Sequence, residues 1–335
     1  MMTERQKRKC EKIDEALHHL AEHEKECRLC PRECGVDRKS GEKGFCQTGN
    51  QASLSHAVLH WGEEPVLSGV HDCAGEAGKS VSFPTGSGAL FFSGCNLKCC
   101  FCQNHQISWC NIGEKRDSDQ LAGQMLSLQD QGALNINLVS PSHVLVPILK
   151  ALQKAYARGL RLPLIYNSNG YEKAEIIRHL EGIVDIYLPD FKYYSPALSD
   201  SLSRAPHYSR FARASIQEMH RQRPVFICDN REIAQEGLII RHLVLPGHWK
   251  DSIRILRWLA QHCREGIALS LMSQYTPCHK APVSLQKTLE AAEYNIVVEK
   301  AVACGFETIF IQPESFREGE HRTPDFHRQD PFDWS

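Results

Sequence analysis

The 335-residue chain has almost no surplus of charge: 39 lysines and arginines stand against 40 aspartates and glutamates. Neither half is strongly polarised, so the sequence lacks the basic footprint of a nucleic-acid binder and no nucleic-acid partner is expected. No apolar run is long and uninterrupted enough to cross a bilayer. The opening segment, MMTERQKRKCEKIDEALHHL, carries charge throughout and has no apolar stretch of the kind found in export signals. These absences predict a soluble cytoplasmic protein with no membrane partner. Internal repeats and low-complexity tracts are missing too. At 42% hydrophobic residues, the length suits one main core, or one such core with a small appendage.

Cysteine is where the chain is rich. There are 15, an odd number, mostly in short-spaced clusters. Without an export signal, spacings of two and three residues read as thiolate ligands rather than disulfides. Cys27, Cys30, Cys34 and Cys46 form one group, and Cys95, Cys99 and Cys102 in GCNLKCCFCQN form another.

From Ala89 onward, short apolar runs of strand length alternate with longer runs of helical period. Candidate strands are ALFFSG (89 to 94), NINLVS (135 to 140), PLIYNS (163 to 168), VDIYLPD (184 to 190), LIIRHLVLP (238 to 246), IALSLM (267 to 272) and TIFIQ (308 to 312). Amphipathic segments such as HVLVPILKALQKAYARG separate most of them. This alternation predicts a parallel sheet with crossover helices, either doubly wound or a full or partial barrel, with the chemistry in the loops after the strands. Residues 3 to about 26 are helical in pattern, the stretch 50 to 88 resists assignment, and 224 to 230 suggests a short strand without a place. The expected organisation is a helix and Cys-rich extension over 1–75, a (β/α) domain over 76–315 and a loosely packed polar tail over 316–335.

Three thiolates from one tight loop can hold three irons of a cubane cluster, and no fourth cysteine follows at a ferredoxin-like spacing. One iron then stays open, able to bind the amine and carboxylate of S-adenosylmethionine (SAM) and pass an electron to its sulfonium. A zinc knuckle is the competing reading, but zinc normally takes four ligands. Cys100 falls off the spacing and reads as a packed thiol.

The C-x3-C-x2-C spacing with Phe101 before the last cysteine resembles the signature of the radical SAM superfamily. The resemblance runs over roughly 89 to 312. Asn167-Ser168-Asn169-Gly170 is similar to the Thr-Asn-Gly turn of pyruvate formate-lyase activating enzymes. Asp185-x-Tyr187-Leu188-x-Asp190-x-Lys192 and Arg241-His-Leu-Val-Leu-Pro246-Gly247 resemble their fourth- and fifth-strand motifs. The whole resembles the poorly characterised activating-enzyme-like branch. That implies a partial (β/α)6 barrel with a 4Fe-4S cluster on Cys95, Cys99 and Cys102. It also implies SAM across the strand ends, with Phe101 near the adenine and Ser140, Asn169, Asp190, Lys192 and Arg241 as SAM-side contacts. The implied activity is reductive cleavage of SAM to a 5′-deoxyadenosyl radical that abstracts hydrogen. The implied partners are an electron donor such as flavodoxin or ferredoxin and, for an activase, a glycyl radical protein; a small molecule or peptide is the alternative substrate. One motif departs: the Gly-Gly-Glu expected after the second strand reads Ser140-Pro141-Ser142-His143, where a hydroxyl, a backbone carbonyl or His143 stands in, or Ser142 simply caps the next helix. Asn167 sits where an aspartate is common.

The N-terminal quartet supplies the four ligands of a closed zinc site or of a second Fe-S cluster, and spacing does not separate the two. Iron-sulfur is favoured because the chain already receives cluster assembly. Glu63 and Glu64 are adjacent, so on a strand they would face opposite ways, and a helix cap or loop salt bridge is expected. Gln274 and Tyr275 are expected to line the pocket, with Cys278 as a radical relay or an inert packed thiol. Cysteines 10, 73, 110, 228, 263 and 304 carry no expected role. A non-catalytic Fe-S or zinc protein remains the reading from another class.

Overall fold

The computed structural model describes residues 2–69, 85–312 and 323–333. Its strands are β1 (Ala52–His60), β2 (Ser87–Phe92), β3 (Glu114–Arg116), β4 (Ile136–Val139), β5 (Leu164–Ser168), β6 (Ile186–Pro189), β7 (Ile227–Cys228), β8 (Ala234–Leu243), β9 (Ala268–Met272) and β10 (Thr308–Ile311). Its helices are α1 (Glu4–Leu20), α2 (Pro65–Ser68), α3 (His105–Ser108), α4 (Ser118–Asp130), α5 (Leu145–Ala157), α6 (Ala174–Arg178), α7 (Pro196–Ser203), α8 (Tyr208–Gln222), α9 (Trp249–His262) and α10 (Ala291–Ala303).

The strands order as β10-β9-β8-β6-β5-β4-β2-β1-β3, and the run from β2 to β10 is parallel throughout. Each of the seven candidate strands falls on one of these seven. Two edge strands were hidden: β1 lies antiparallel to β2 and carries β3 on its far side. The short strand suspected at 224 to 230 is β7, antiparallel to β8.

Side chains alternate across the sheet, and the two faces are covered differently. Leu90, Phe92, Leu138, Tyr166, Tyr187, Ile240 and Leu271 point to the face on which α1, α4, α5, α6, α8, α9 and α10 pack in one continuous core. On the other face Ile165, Ile186, Leu188, Ile239 and Ala268 pack among themselves and onto Val66 and Leu67 of the one-turn α2. A doubly wound sheet carries helices on both faces. Long helices on one face only, with open edges at β10 and β3, give a partial barrel whose interior floor is plugged by α2.

The helix expected from residue 3 begins with a capping box in which Thr3 and Gln6 satisfy each other's backbone amides. The α1 helix buries Ile13, Ala16 and Leu20 in the main core, so this part of the N-terminal extension packs as an outer helix of the barrel. The tail expected to pack loosely is corrected over its described part. Phe326 is 2% exposed and packs with Phe91, Ile107 and Ala89, and Gln106 holds Asp325 and the amide of Phe326. Cys73 and the 75/76 boundary lie outside the described residues. Among the described residues no helix is long and apolar enough to cross a membrane.

One buried ion pair joins α1 to the barrel. Lys9 Nζ lies 2.5 Å from Asp185 Oδ2 and 2.7 Å from the Ile183 carbonyl, and Arg5 reaches Asp185 Oδ1 at 2.8 Å. Removing Lys9 takes away the buried counter-charge of Asp185 and leaves it the half-exposed Arg5 and, at 4.0 Å, Arg223. Lys9→Met is expected to lower stability by about 3 kcal/mol in urea unfolding, and adding Asp185→Leu to restore most of it.

Candidate active site

The candidate site begins where β2 ends. The chain turns at Gly94 with φ at 86°, in the left-handed region. A Cβ there would meet the Cys46 carbonyl oxygen at 2.5 Å, Thr48 Oγ1 at 2.6 Å and His143 Nε2 at 3.1 Å, so only glycine fits. Cys95, Cys99 and Cys102 follow at the carboxyl end of a parallel strand, the usual place for chemistry in such folds.

Each sulfur has a hydrogen-bonding neighbour. The Leu97 amide (3.3 Å) and Asn169 Nδ2 (3.4 Å) donate to Cys95, the Ser203 hydroxyl donates to Cys99 at 3.0 Å, and Ser108 Oγ lies 3.2 Å from Cys102. Burial pushes the Cys95 thiol up to about 11 and the Cys102 thiol to about 12, and the charge of Cys99 adds to both. Burial raises Cys99 as well, while Lys192 and Ser203 pull it down. The three thiols therefore lie close enough for charge on one to weigh on another. Lys192 lowers all three, and its Nζ is 2.5 Å from Asp190 Oδ2. Burial opposes the charge on Lys192, but Asp190 and the Cys99 thiolate outweigh it and hold the lysine above its ordinary value.

Among the described residues no three His, Cys, Asp or Glu side chains converge closely enough to share a single metal ion. Buried thiols with donors on their sulfurs fit the cluster. Thiolates are what irons bind, and hydrogen bonds to the sulfurs tune such a centre.

The remaining candidate residues divide. Asn169 touches the triad directly, bonding Asn96 at 2.7 Å as well as Cys95. Asp190 and Lys192 stand beside it, because the Tyr208 hydroxyl bonds the carbonyls of Asn169 and Asp190 and receives the amide of Lys192. Ser140 has a left-handed backbone and donates its amide to the Asn167 carbonyl at 2.8 Å. Phe101 is buried edge-on against Tyr275, with ring centroids 5.6 Å apart, and its carbonyl accepts from Cys278 Sγ at 3.2 Å. Gln274 pairs with Gln312.

Arg241, expected beside SAM, has its guanidinium held by Glu63 and Glu64. This is the loop salt bridge expected of the two glutamates. They sit after β1 in an irregular turn, and both converge on the same arginine, with Asn137 donating to Glu63 at 2.8 Å. Ser142 is not the cap of α5: it lies in a short 3-10 turn, and its hydroxyl bonds the Glu172 carboxylate. A glutamate therefore does reach the loop after β4, but it comes from the loop after β5.

Cys27, Cys34 and Cys46 gather around Arg38, which bonds Cys46 Sγ at 3.5 Å and the His143 carbonyl at 2.7 Å, and Cys30 lies near Cys27 and Cys46. They are neighbours without forming a single-ion site. Their loop docks on the triad loop, as Arg32 donates to the Asn96 carbonyl at 2.9 Å and its guanidinium lies between Phe45 and Tyr171. Sequence reasoning missed Ser108, Ser203 and Tyr208, which reach the site from crossover segments where nothing in the local pattern marks them.

No protein-family model matches the chain. Uncharacterized protein MJ0674 of Methanocaldococcus jannaschii is 29% identical over 293 residues, 81% of this chain and 76% of that protein. A radical SAM methyltransferase from Sphaerobacter thermophilus is similar in structure at 12% identity and a TM-score of 0.49, over 68% of this chain and 65% of that one. SuiB of Streptococcus suis, solved with S-adenosylmethionine, gives 9% and 0.44 over 65% and 48%; methylornithine synthase (PylB) gives 13% and 0.40 over 67% and 71%. The chain spans less than two thirds of the first two structures. At such identities and TM-scores the likeness assigns neither family nor activity.

Glu172 is fully buried, with Oε1 bonded by Ser142 and Ser168 and Oε2 without a partner among the described residues. Burial pushes its carboxyl from 4.5 up to about 7 against the hydrogen bonds from Ser142 and Ser168 and the nearby Tyr166 hydroxyl. Between these values the native state keeps a proton that the unfolded chain has lost, so this group makes stability fall as pH rises through that window, by about 3 kcal/mol in full. Glu172→Gln keeps an acceptor for both serines and cannot ionise. The stability of the variant relative to the parent, from urea unfolding, is expected to grow from about pH 5 to about pH 8, and a flat difference would refute the assignment.

Proposed function

We propose that this chain is a radical SAM enzyme. The observation that carries the reading is the triad: three thiols from one loop at the carboxyl end of a parallel strand, each sulfur beside a hydrogen-bonding group. In this reading Cys95, Cys99 and Cys102 hold a 4Fe-4S cluster that, with SAM bound, supplies one electron and yields methionine and a hydrogen-abstracting 5′-deoxyadenosyl radical.

The protein's own part is placement and exclusion of water. Asn169 orients Cys95, the Asp190–Lys192 pair sets a polar wall beside the sulfurs, and Tyr208 locks the loops after β5 and β6 to each other. Phe101 and Tyr275 close the apolar side of the triad loop. On the interior face of the sheet, α2 packs against the strands and the Glu63–Glu64–Arg241 cluster adds a polar group.

The finer reading follows the sequence resemblance: the hydrogen comes from a glycine of a partner protein, which makes the chain a glycyl-radical-enzyme activase fed by a flavodoxin or ferredoxin. Co-purification with a glycyl radical protein tests it directly.

Anaerobic reconstitution with iron and sulfide, followed by dithionite and SAM, is expected to release 5′-deoxyadenosine. Cys95→Ala, Cys99→Ala and Cys102→Ala are each expected to reduce that release to background. Reconstituted parent protein that yields none overturns the reading. Metal analysis of the same samples reports on Cys27, Cys30, Cys34 and Cys46: iron or zinc that survives loss of the triad belongs to them.

A further inference from the structure

Among the described residues two basic side chains are buried, Lys9 at 3% exposure and Arg38 at 5%, and every other lysine and arginine is at least partly exposed. Lys9 has Asp185 as its counter-charge. Arg38 has no carboxylate partner among the described residues: Glu24, whose carbonyl accepts the Arg38 amide, gives its own carboxylate to Lys39 and Lys150. The groups around the Arg38 guanidinium are sulfurs instead. Nη2 donates to Cys46 Sγ at 3.5 Å, Cys27 and Cys34 stand nearby, and Nε is buried without a partner. A buried cation is costly unless an anion faces it. A thiol is neutral, whereas four thiolates on a divalent ion or a cubane cluster leave a net negative charge.

Arg38 also reaches toward the triad. Its Nη1 donates to the His143 carbonyl at 2.7 Å, and the buried His143 ring bonds the Ser93 carbonyl through Nε2 at 2.8 Å. Ser93 and Gly94 are the two residues before Cys95. An unbroken line of hydrogen bonds therefore runs from the Cys46 sulfur to the turn that carries Cys95. The Cys46 carbonyl packs against the same turn, 2.5 Å from where a Cβ on Gly94 would lie.

We infer that Arg38 is the buried counter-charge of an anionic metal–thiolate centre on Cys27, Cys30, Cys34 and Cys46, and a positioning residue for the triad turn. On loading, the four thiols give up their protons and draw together on the metal, and the guanidinium is held between that centre and His143. When the metal leaves, the sulfurs take protons back, Arg38 loses its counter-charge, and the turn at Ser93 and Gly94 loosens. The inference needs metal at the quartet and none at the triad, so it stands or falls apart from the radical SAM reading.

The test uses the full chain carrying Cys95→Ser, Cys99→Ser and Cys102→Ser as its parent, so that metal at the triad does not contribute. One arm is loaded with zinc, the other anaerobically with ferrous iron and sulfide. Metal retention is followed during a chelator challenge, and amide hydrogen exchange over residues 93–97 is read by mass spectrometry. In whichever arm loads, adding Arg38→Gln is expected to speed metal loss roughly tenfold, and Arg38→Lys, which keeps the charge, to fall between that variant and the parent. Exchange over 93–97 is expected to quicken when the parent is stripped of metal, and to be equally quick in loaded and stripped Arg38→Gln. Absence of metal from both arms overturns the inference, as does equal retention by parent and Arg38→Gln, or an Arg38→Lys variant as labile as Arg38→Gln. Unchanged exchange over 93–97 on stripping the parent overturns it as well, and that comparison needs no substitution at Arg38 should Arg38→Gln fail to fold.

Discussion

Three sulfurs carried by one short loop have to be kept away from water while remaining able to bear negative charge. Burial alone works against that charge, and the weakened acidity of the Cys95 and Cys102 thiols records how strongly. Every element around the loop supplies part of the compensation. The loop after β5 sends Asn169, the loop after β6 sends Lys192, α7 sends Ser203 and α3 sends Ser108. The fold can be read as a means of bringing these four contributions from distant parts of the chain to one spot.

Parallel topology makes this delivery regular. Each strand of the run ends at the same rim, so each following loop approaches the same site. Tyr208 then fixes the spacing between two of those loops, and Gly170 leaves room for it, since a side chain there would strike the Asp190 carbonyl and the Tyr208 hydroxyl. On the interior face the burial is more polar. Arg241, Glu63, Glu64 and Asn137 form a bonded group above the apolar floor of α2, and the described C-terminal residues cover the interior face of β1 and β2 with Phe326 and Phe332.

The parallel strands were legible because each is a short apolar run bounded by turns, and the triad because its spacing is a local property. What failed was contact information. Strand β1 was obscured by the serines and histidines interspersed with its apolar residues, as a strand of mixed burial permits. A loop salt bridge was legible for Glu63 and Glu64, but its partner, Arg241, lies 177 residues beyond Glu64 and no local pattern names it. The polar composition of the tail concealed two phenylalanines that its packing uses. Glu172 went unmarked too, because its carboxylate reaches the β4 loop from a position that no motif counts.

The crowding at Gly94 means that the two cysteine loops are not separable modules. The Cys46 carbonyl and Thr48 occupy the volume where any larger residue at position 94 would put its first carbon. A barrel excised without its leading fifty or so residues would expose that flank of the sulfur-bearing turn, and grafting the turn onto another scaffold would have to bring its wedge along. Whatever the quartet binds, its loop already acts as masonry for its neighbour.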